Sequence, residues 1–288
     1  MLWQTSRHLI DLGTPRVMGI VNVTPDSFSD GGHHATTSAA CAHAERLLEE
    51  GADILDIGGE STRPGSQPPT LAEEIERVVP VVRHAVTLGV PVSVDTSRPE
   101  VIDAVLAEGA DIVNDIRALL LPGALDAVAR HPRAGLCLMH MQGEPATMQQ
   151  APRYADVTAE VASFLASRLQ AALSAGVGPE RIVLDPGYGF GKTHEHNLTL
   201  FRQQGALLSL GRPLLVGWSR KGTLGQVTGR PLGERLTASV AAALAAVAHG
   251  ARIVRVHDVA ATVDALKVWC AAGLGAPQQE QNQGARIP

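Results

Sequence analysis

Apolar and polar positions along the chain follow two rhythms. Short β-branched runs, RVMGIVN, DILDIG, VPVSVD, DIVND, GLCLMH, RIVLD, PLLVGWS and RIVRVH, are almost wholly apolar, the signature of strands buried on both faces of a parallel sheet. Between them lie stretches with helical period, among them SAACAHAERLLEEGA, LAEEIERVVPVVRHAV, PEVIDAVLAEGA, ALDAVARHP, VTAEVASFLASRLQAALSAGV, HNLTLFRQQGALLSL, GERLTASVAAALAAVAHGA and DVAATVDALKVWCAAG. Eight strand–helix units in a chain of this length predict an α/β fold, a single (β/α)8 barrel over residues 17–271. Residues 1–16 are expected to make a small hairpin under the barrel, and the polar stretch 272–288 a loosely ordered tail. Gly51, Gly109 and Gly250, each just before a strand, fit helix C-terminal glycines rather than an internal repeat.

Each predicted strand delivers polar chemistry at its end: Asn22, Asp56, Asp95, Asn114 with Asp115, His140, Asp185, then Ser219-Arg220-Lys221, and Arg255 with His257. Any one of these could cap a helix. All eight strands doing so point to a site, because the carboxyl ends of barrel strands and the loops after them form the active-site face.

Two loops carry almost no residues fit for a core. The first runs from Thr24 through VTPDSFSDGG with Phe28 as its only large apolar side chain; the second, GGESTRPGS, follows the next strand. Long polar loops in a compact domain are commonly functional, and two that are neighbours suggest a mobile lid that closes over a substrate. Arg63, beside Pro64 and among glycines, is well placed to meet a phosphate with its forked donors.

Composition narrows the ligand. With 45% hydrophobic residues and a net charge of −5, the chain reads as globular without a basic stripe for nucleic acid, so an anionic small molecule must be met by a few placed Arg and Lys side chains. Three cysteines without a CxxC pair suit reduced thiols and a cytoplasmic setting, and no apolar stretch is long enough for a membrane span. DPGYGFGKT approaches a phosphate-cradling loop but has Pro186 where that pattern requires glycine; a tight glycine turn leaving Asp185 on a pocket floor and Phe190 near its mouth accounts for it better. His194-Glu195-His196 lacks zinc-site spacing and reads as a helix start, and His140 as a hydrogen-bonded rim histidine.

Taken together and in order, MGIVNVTPDSFSDGG, DIGGESTRPG, VSVDTSR, NDI, MHMQG, DPGYGFGK, WSRKG and RVHDV resemble the dihydropteroate synthase family across residues 17–259. The resemblance implies condensation of 6-hydroxymethyl-7,8-dihydropterin pyrophosphate with p-aminobenzoate, releasing pyrophosphate. It implies that Thr62, Asp95, Asn114, Asp185, Lys221 and Arg255 bind pterin and pyrophosphate, and that Phe28, Pro64, Phe190 and the segment at Gly222 receive p-aminobenzoate or its sulfonamide analogues. Catalytic roles fall to Asp30, Arg63, Asp95, Lys221, Arg255 and His257, with Asn22 ligating Mg²⁺ and Asp30 or Asp95 facing a cation-like transition state. Gly222 departs from the family, many members of which carry serine there, and implies altered p-aminobenzoate affinity. A homodimer using the ASVAAALAAVA helix is also implied. A pterin-dependent methyltransferase barrel would lack the two loop sequences, and a non-catalytic pterin-binding paralogue would be expected to have lost Asn22, Arg63, Lys221 or Arg255; all four are present.

Overall fold

The computed structural model describes residues 1–24, 32–61 and 67–274. An antiparallel hairpin, β1 (Leu2–Gln4) and β2 (Leu9–Asp11), precedes the barrel strands β3 (Arg16–Asn22), β4 (Ile54–Gly58), β5 (Val92–Asp95), β6 (Ile112–Asp115), β7 (Gly135–Met139), β8 (Ile182–Asp185), β9 (Leu214–Val216) and β10 (Ala251–Val256). The eight are parallel and close in chain order, β10 pairing with β3. Around them run α1 (Gly32–Glu49), α2 (Leu71–Thr87), α3 (Pro99–Ala107), α4 (Ala124–Ala129), α5 (Val157–Ser174), α6 (His194–Arg202), α7 (Gly222–Thr228), α8 (Leu236–Ala248) and α9 (Val259–Ala271).

Why every strand reads as apolar follows from the two-residue side-chain period. Outward positions such as Val17, Val21, Leu55, Ile57, Val92 and Val94 pack under α1, α2 and α9, and Val113, Leu136, Leu138, Ile182 and Leu184 pack under α4 and α5. Inward positions at the strand starts, Met18, Ile54, Ile112, Cys137, Val183, Leu215 and Ile253, form a separate core closed below by Trp3, Ile10 and Leu12 of the hairpin. The Trp3 indole donates to the Arg181 carbonyl at 2.8 Å, fixing the plug.

Two residues further along the same inward rows the chemistry changes. Ile54 gives way to Asp56, Ser93 to Asp95, Ile112 to Asn114, Val183 to Asp185 and Ile253 to Arg255. Asp56, Asn114 and Asp185 are 0%, 3% and 5% exposed. A buried Val, Leu or Ile at such a position would contribute roughly 1.5–3 kcal/mol, so this layer forgoes stability for chemistry.

Two elements differ from the sequence pattern. HNLTLFRQQGALLSL is not one helix: α6 ends at Arg202 and a 3₁₀ segment, Gln204–Leu210, follows. The buried Gln204 amide donates to the Ala246 and His249 carbonyls, and these tertiary bonds hold the break. The segment after Lys221 also forms a helix, α7, that its short, weakly periodic sequence does not announce.

Candidate active site

At the carboxyl end of the barrel the described residues enclose a cleft of about 660 Å³. Asn22, Asp95, Phe190, Lys221, Gly222, Arg255 and His257 all line it, so strand ends far apart in sequence converge on one space. Asn114 and Asp185 are part of the buried polar layer below. Phe28, Asp30, Thr62, Arg63 and Pro64 fall outside the described residues; Thr24, Glu60 and Ser61, which flank the two loops, border the cleft.

Arg255 is the hub of the floor. Its Nε donates to Asp56 Oδ2 at 2.6 Å and its Nη2 to Asp95 Oδ2 at 3.1 Å. Asn114 Nδ2 donates to the same Asp56 oxygen at 3.2 Å. This leaves Asp56 Oδ1 and Asn114 Oδ1 buried with no protein partner. Burial pushes the Asp95 carboxyl up, with Arg255 pulling it down and Asp56 and Glu60 pushing it up further.

Asp185 stands at the end of β8, where the chain turns sharply. Its Oδ1 accepts from the Gly187 N–H at 2.7 Å. Gly187 has φ of +67°, and a Cβ there would fall on the His140 carbonyl oxygen, so both turn and interloop contact require glycine. Burial raises the Asp185 pKa to about 6, against the pull of the Gly187 N–H, Lys221, Lys192 and Arg255.

Lys221 reaches the cleft from a strained turn. Arg220 before it has φ of +59°, a left-handed conformation that costs a non-glycine residue about 1–2 kcal/mol. Ser239 Oγ accepts the Arg220 N–H at 2.9 Å and Asp258 pairs with its guanidinium, holding the turn. Lys221 Nζ then lies 4.1 Å from the centre of the Phe190 ring. Burial and Arg255 lower its pKa to about 8, offset by Asp185 and Asp95. No direct Lys221–Asp185 hydrogen bond forms among the described residues; the two are coupled through space.

His257 is kept neutral: burial, then Arg255 and Arg220, pull its pKa to about 3. Ser219 Oγ accepts the His257 backbone N–H at 3.2 Å and lies 3.0 Å from its Nδ1. The neutral ring carries one N–H: with the serine proton on Nδ1 it is Nε2–H, and with Nδ1–H on Ser219 Oγ it is Nδ1–H, so Ser219 anchors the ring in either tautomer.

Ser219, Asp56 and Lys192 are site residues that sequence patterning did not single out by role. Ser219 and Asp56 were visible as polar strand ends, whereas nothing local distinguishes the buried Lys192 from a surface lysine. Conversely Asp115, also at a strand end, faces outward: its carboxylate caps the following turn through the Arg117 and Leu119 N–H groups and takes the Ser97 hydroxyl. His140 is a buried rim histidine packed edge-on against Phe164. His194 and His196 open α6 behind the cap residue Thr193, and no group of three or more His, Cys, Asp or Glu residues placed to hold a metal occurs among the described residues.

Residues 18–257 match the family model described as pterin binding enzyme. Dihydropteroate synthase of Neisseria meningitidis serogroup B is 53% identical over 279 residues, covering 95% of this chain and 98% of that protein. The solved structure of Xanthomonas albilineans dihydropteroate synthase with 4-aminobenzoic acid superposes with a TM-score of 0.87 at 53% identity, over 92% of this chain and 95% of that one. The same enzyme in complex with 7,8-dihydropteroate gives 0.87 at 49% identity, over 95% and 99%. A barrel whose inward rows turn from apolar to ionic, matched to these proteins along nearly its whole length, belongs to the dihydropteroate synthase family of pterin-binding enzymes.

Proposed function

We propose that this chain condenses 6-hydroxymethyl-7,8-dihydropterin pyrophosphate with p-aminobenzoate to give 7,8-dihydropteroate and pyrophosphate. The observation that carries the reading is the buried acceptor set on the floor. Asp56 Oδ1 and Asn114 Oδ1 lack protein donors, and Asp185 has one oxygen engaged by Gly187. A flat heterocycle with N–H groups along one edge and acceptors along another satisfies these oxygens and Lys221 together, which the 2-amino-4-oxo edge of a pterin does. Leaving such groups unpaired costs about 1–3 kcal/mol each, so the site favours that ligand strongly over one without the donors.

The chemical demand is charge. As the CH2–O bond breaks, negative charge grows on the departing pyrophosphate and positive charge on the pterin methylene. His257, neutral and anchored by Ser219, and Arg63 meet the first; Arg255 steadies the second indirectly by holding Asp95 in place. Asp95 or Asp30 faces the cation. The arylamine of p-aminobenzoate attacks with its own lone pair, so no base is needed beforehand. Phe190, Phe28 and Pro64 wall its ring, and the loops exclude water from the reactive centre. Sulfonamide analogues compete for the same space.

Mg²⁺ fits this donor set as an ion that arrives with the pyrophosphate. It takes oxygen ligands and shares them with phosphate and water, so a single amide oxygen at Asn22, on the cleft wall, suffices as the protein's contribution. When bound, it neutralises charge on the pyrophosphate. The apolar α8, with Leu236 exposed, suits a homodimer, and a folate-pathway enzyme of this kind works in the cytoplasm. Among the described residues no helix is long and apolar enough to cross a membrane.

The test is a binding pair: calorimetry with the pterin pyrophosphate and with a purine pyrophosphate lacking the 2-amino group. The pterin should bind at least about 100-fold more tightly. Equal affinities would remove the floor's role.

A further inference from the structure

The chain has three lysines, and two of them meet at this cleft. Lys221 has a substrate-facing place in the reading above. Lys192 has none, yet it is among the largest fully buried side chains in the molecule at 2% exposure. Nothing in ordinary packing favours this, since a buried ammonium is costly unless its three donors are met. Here they are. Nζ lies 2.9 Å from His140 Nδ1, 2.9 Å from the Gly187 carbonyl and 3.1 Å from the Phe190 carbonyl, with the His140 carbonyl further off at 3.5 Å. Three acceptors call for three protons: a neutral amine would turn its lone pair on one of them. The His140 ring complements this, because burial and Lys192 itself hold its pKa down at about 3 and leave Nδ1 free to accept.

The two carbonyls that Lys192 grips belong to residues with work to do. Gly187 gives its N–H to Asp185 Oδ1, so the same residue is fixed by the floor carboxylate on one side and the ammonium on the other. Phe190 carries the ring beneath Lys221. The rest of the turn is fastened in the same manner: Gly189 N–H donates to Asn197 Oδ1, and Gln149 Nε2 donates to the Gly189 carbonyl. One buried cation thus sets the distance between the pterin floor and the aromatic wall.

We infer that Lys192 is a positioning residue whose ammonium, spent on three protein acceptors, braces the Asp185–Phe190 turn and keeps Asp185 ionised. The inference rests on the reading that Asp185 receives the pterin. The charged and titratable groups that face Asp185 are Lys221 after β9, Arg255 on β10, Lys192 and Tyr188 in its own loop, and Cys137 on β7. Lys221 and Arg255 are partly committed elsewhere, Arg255 to Asp56 and Asp95. When pterin engages Lys221, Lys192 is the cation that stays. Burial draws its own pKa down to about 7, Asp185 pulling it back up, so the two groups support one another's charge below neutrality.

The experiment compares Lys192→Gln with wild type by calorimetric titration of pterin pyrophosphate from pH 5 to 8. The glutamine amide can still donate to two of the three acceptors but carries no charge. Wild-type binding should weaken on acidification with a midpoint near 6, where Asp185 protonates. In Lys192→Gln that midpoint should rise by about one pH unit, with KM for the pterin substrate raised about threefold near pH 6.5, approaching tenfold at pH 5, and kcat much less affected. A midpoint unmoved from wild type overturns the inference. If the variant does not fold, the wild-type protein decides by NMR with ¹³C,¹⁵N-labelled lysine, where three side-chain signals are expected and Lys267 is largely exposed. Lys192 should appear as a slowly exchanging ammonium at pH 6 and shift on Asp185→Asn; a neutral amine at pH 6, or no response to Asp185→Asn, overturns it. Failure of the underlying reading is distinct: Asp185→Asn would then bind pterin pyrophosphate normally.

Discussion

Replacing Asp185 by asparagine should damage binding while strengthening the fold. The carboxyl titrates at 3.8 in an unfolded chain and at about 6 in the barrel, chiefly because it is buried. Its folded value is the higher one, so the cost to folding is absent below the unfolded pKa, grows between the two values and is complete above 6. That cost is about 3 kcal/mol at pH 7.5, and an amide of the same shape avoids most of it. For a chain of this size the gain corresponds to a rise in Tm on the order of 4–9 °C. Asparagine can still accept the Gly187 N–H through its oxygen, leaving the backbone turn intact. Its NH2 then faces the donor edge of the pterin, exchanging one or two charge-assisted hydrogen bonds for a donor–donor contact. The loss is about 3–5 kcal/mol, or roughly 100- to 5,000-fold in Kd. Calorimetric titration with pterin pyrophosphate and thermal unfolding, both at pH 7.5 and at pH 4.5, measure the two effects. The stability gap should narrow at the lower pH. Wild-type affinity in the variant would refute the floor assignment, and a lower Tm at pH 7.5 would refute the argument that the carboxylate is held at a cost.

Other expectations follow from the same geometry. Arg63→Ala should lower kcat by about 30- to 1,000-fold, the loss of 2–4 kcal/mol of contact to the departing pyrophosphate, whereas Phe28→Ala should raise KM for p-aminobenzoate by about 1–2 kcal/mol and spare pterin binding; steady-state kinetics with each substrate varied separates them, and the reverse pattern would exchange their roles. Gly222→Ser should fold normally, because a Cβ there meets only the His194 ring, at 3.7 Å; its hydroxyl should tighten p-aminobenzoate binding about two- to tenfold, and unchanged affinity would show that the missing serine has been replaced by other donors. Chelation of Mg²⁺ should weaken calorimetric binding of pterin pyrophosphate but not of the pterin alcohol, and equal loss for both would place the ion away from the phosphates.

How much of this was legible in the chain depends on whether a feature is periodic or tertiary. The barrel was legible because all eight strands are apolar on both faces, and the rim because Asn22, Asp95, Asn114, Asp185, Lys221, Arg255 and His257 each close an apolar run. Depth was not: the same alternation that sends Asp56 inward to Arg255 sends Asp115 outward to cap a turn, and only the strand register tells the two apart. α7 was missed because seven residues with two glycines carry little helical signal, and the 3₁₀ break at Gln204 because its cause lies in carbonyls more than forty residues away. Nothing in DPGYGFGKT marks Lys192 as buried, since its burial is decided by how the turn folds its own carbonyls back onto Nζ and by His140 of another loop. The parts assigned to Phe28, Asp30, Thr62, Arg63 and Pro64 rest on sequence and chemistry.

The central claim is that one site on this barrel joins a pterin to an arylamine with loss of pyrophosphate. It is tested most directly by incubating the purified protein with Mg²⁺, 6-hydroxymethyl-7,8-dihydropterin pyrophosphate and p-aminobenzoate while following pyrophosphate release and the mass of the product together. The account expects pyrophosphate and 7,8-dihydropteroate in equal amounts, with release falling sharply when p-aminobenzoate is withheld. Pyrophosphate release of the same rate without p-aminobenzoate, or binding of both substrates with no dihydropteroate formed, would contradict it.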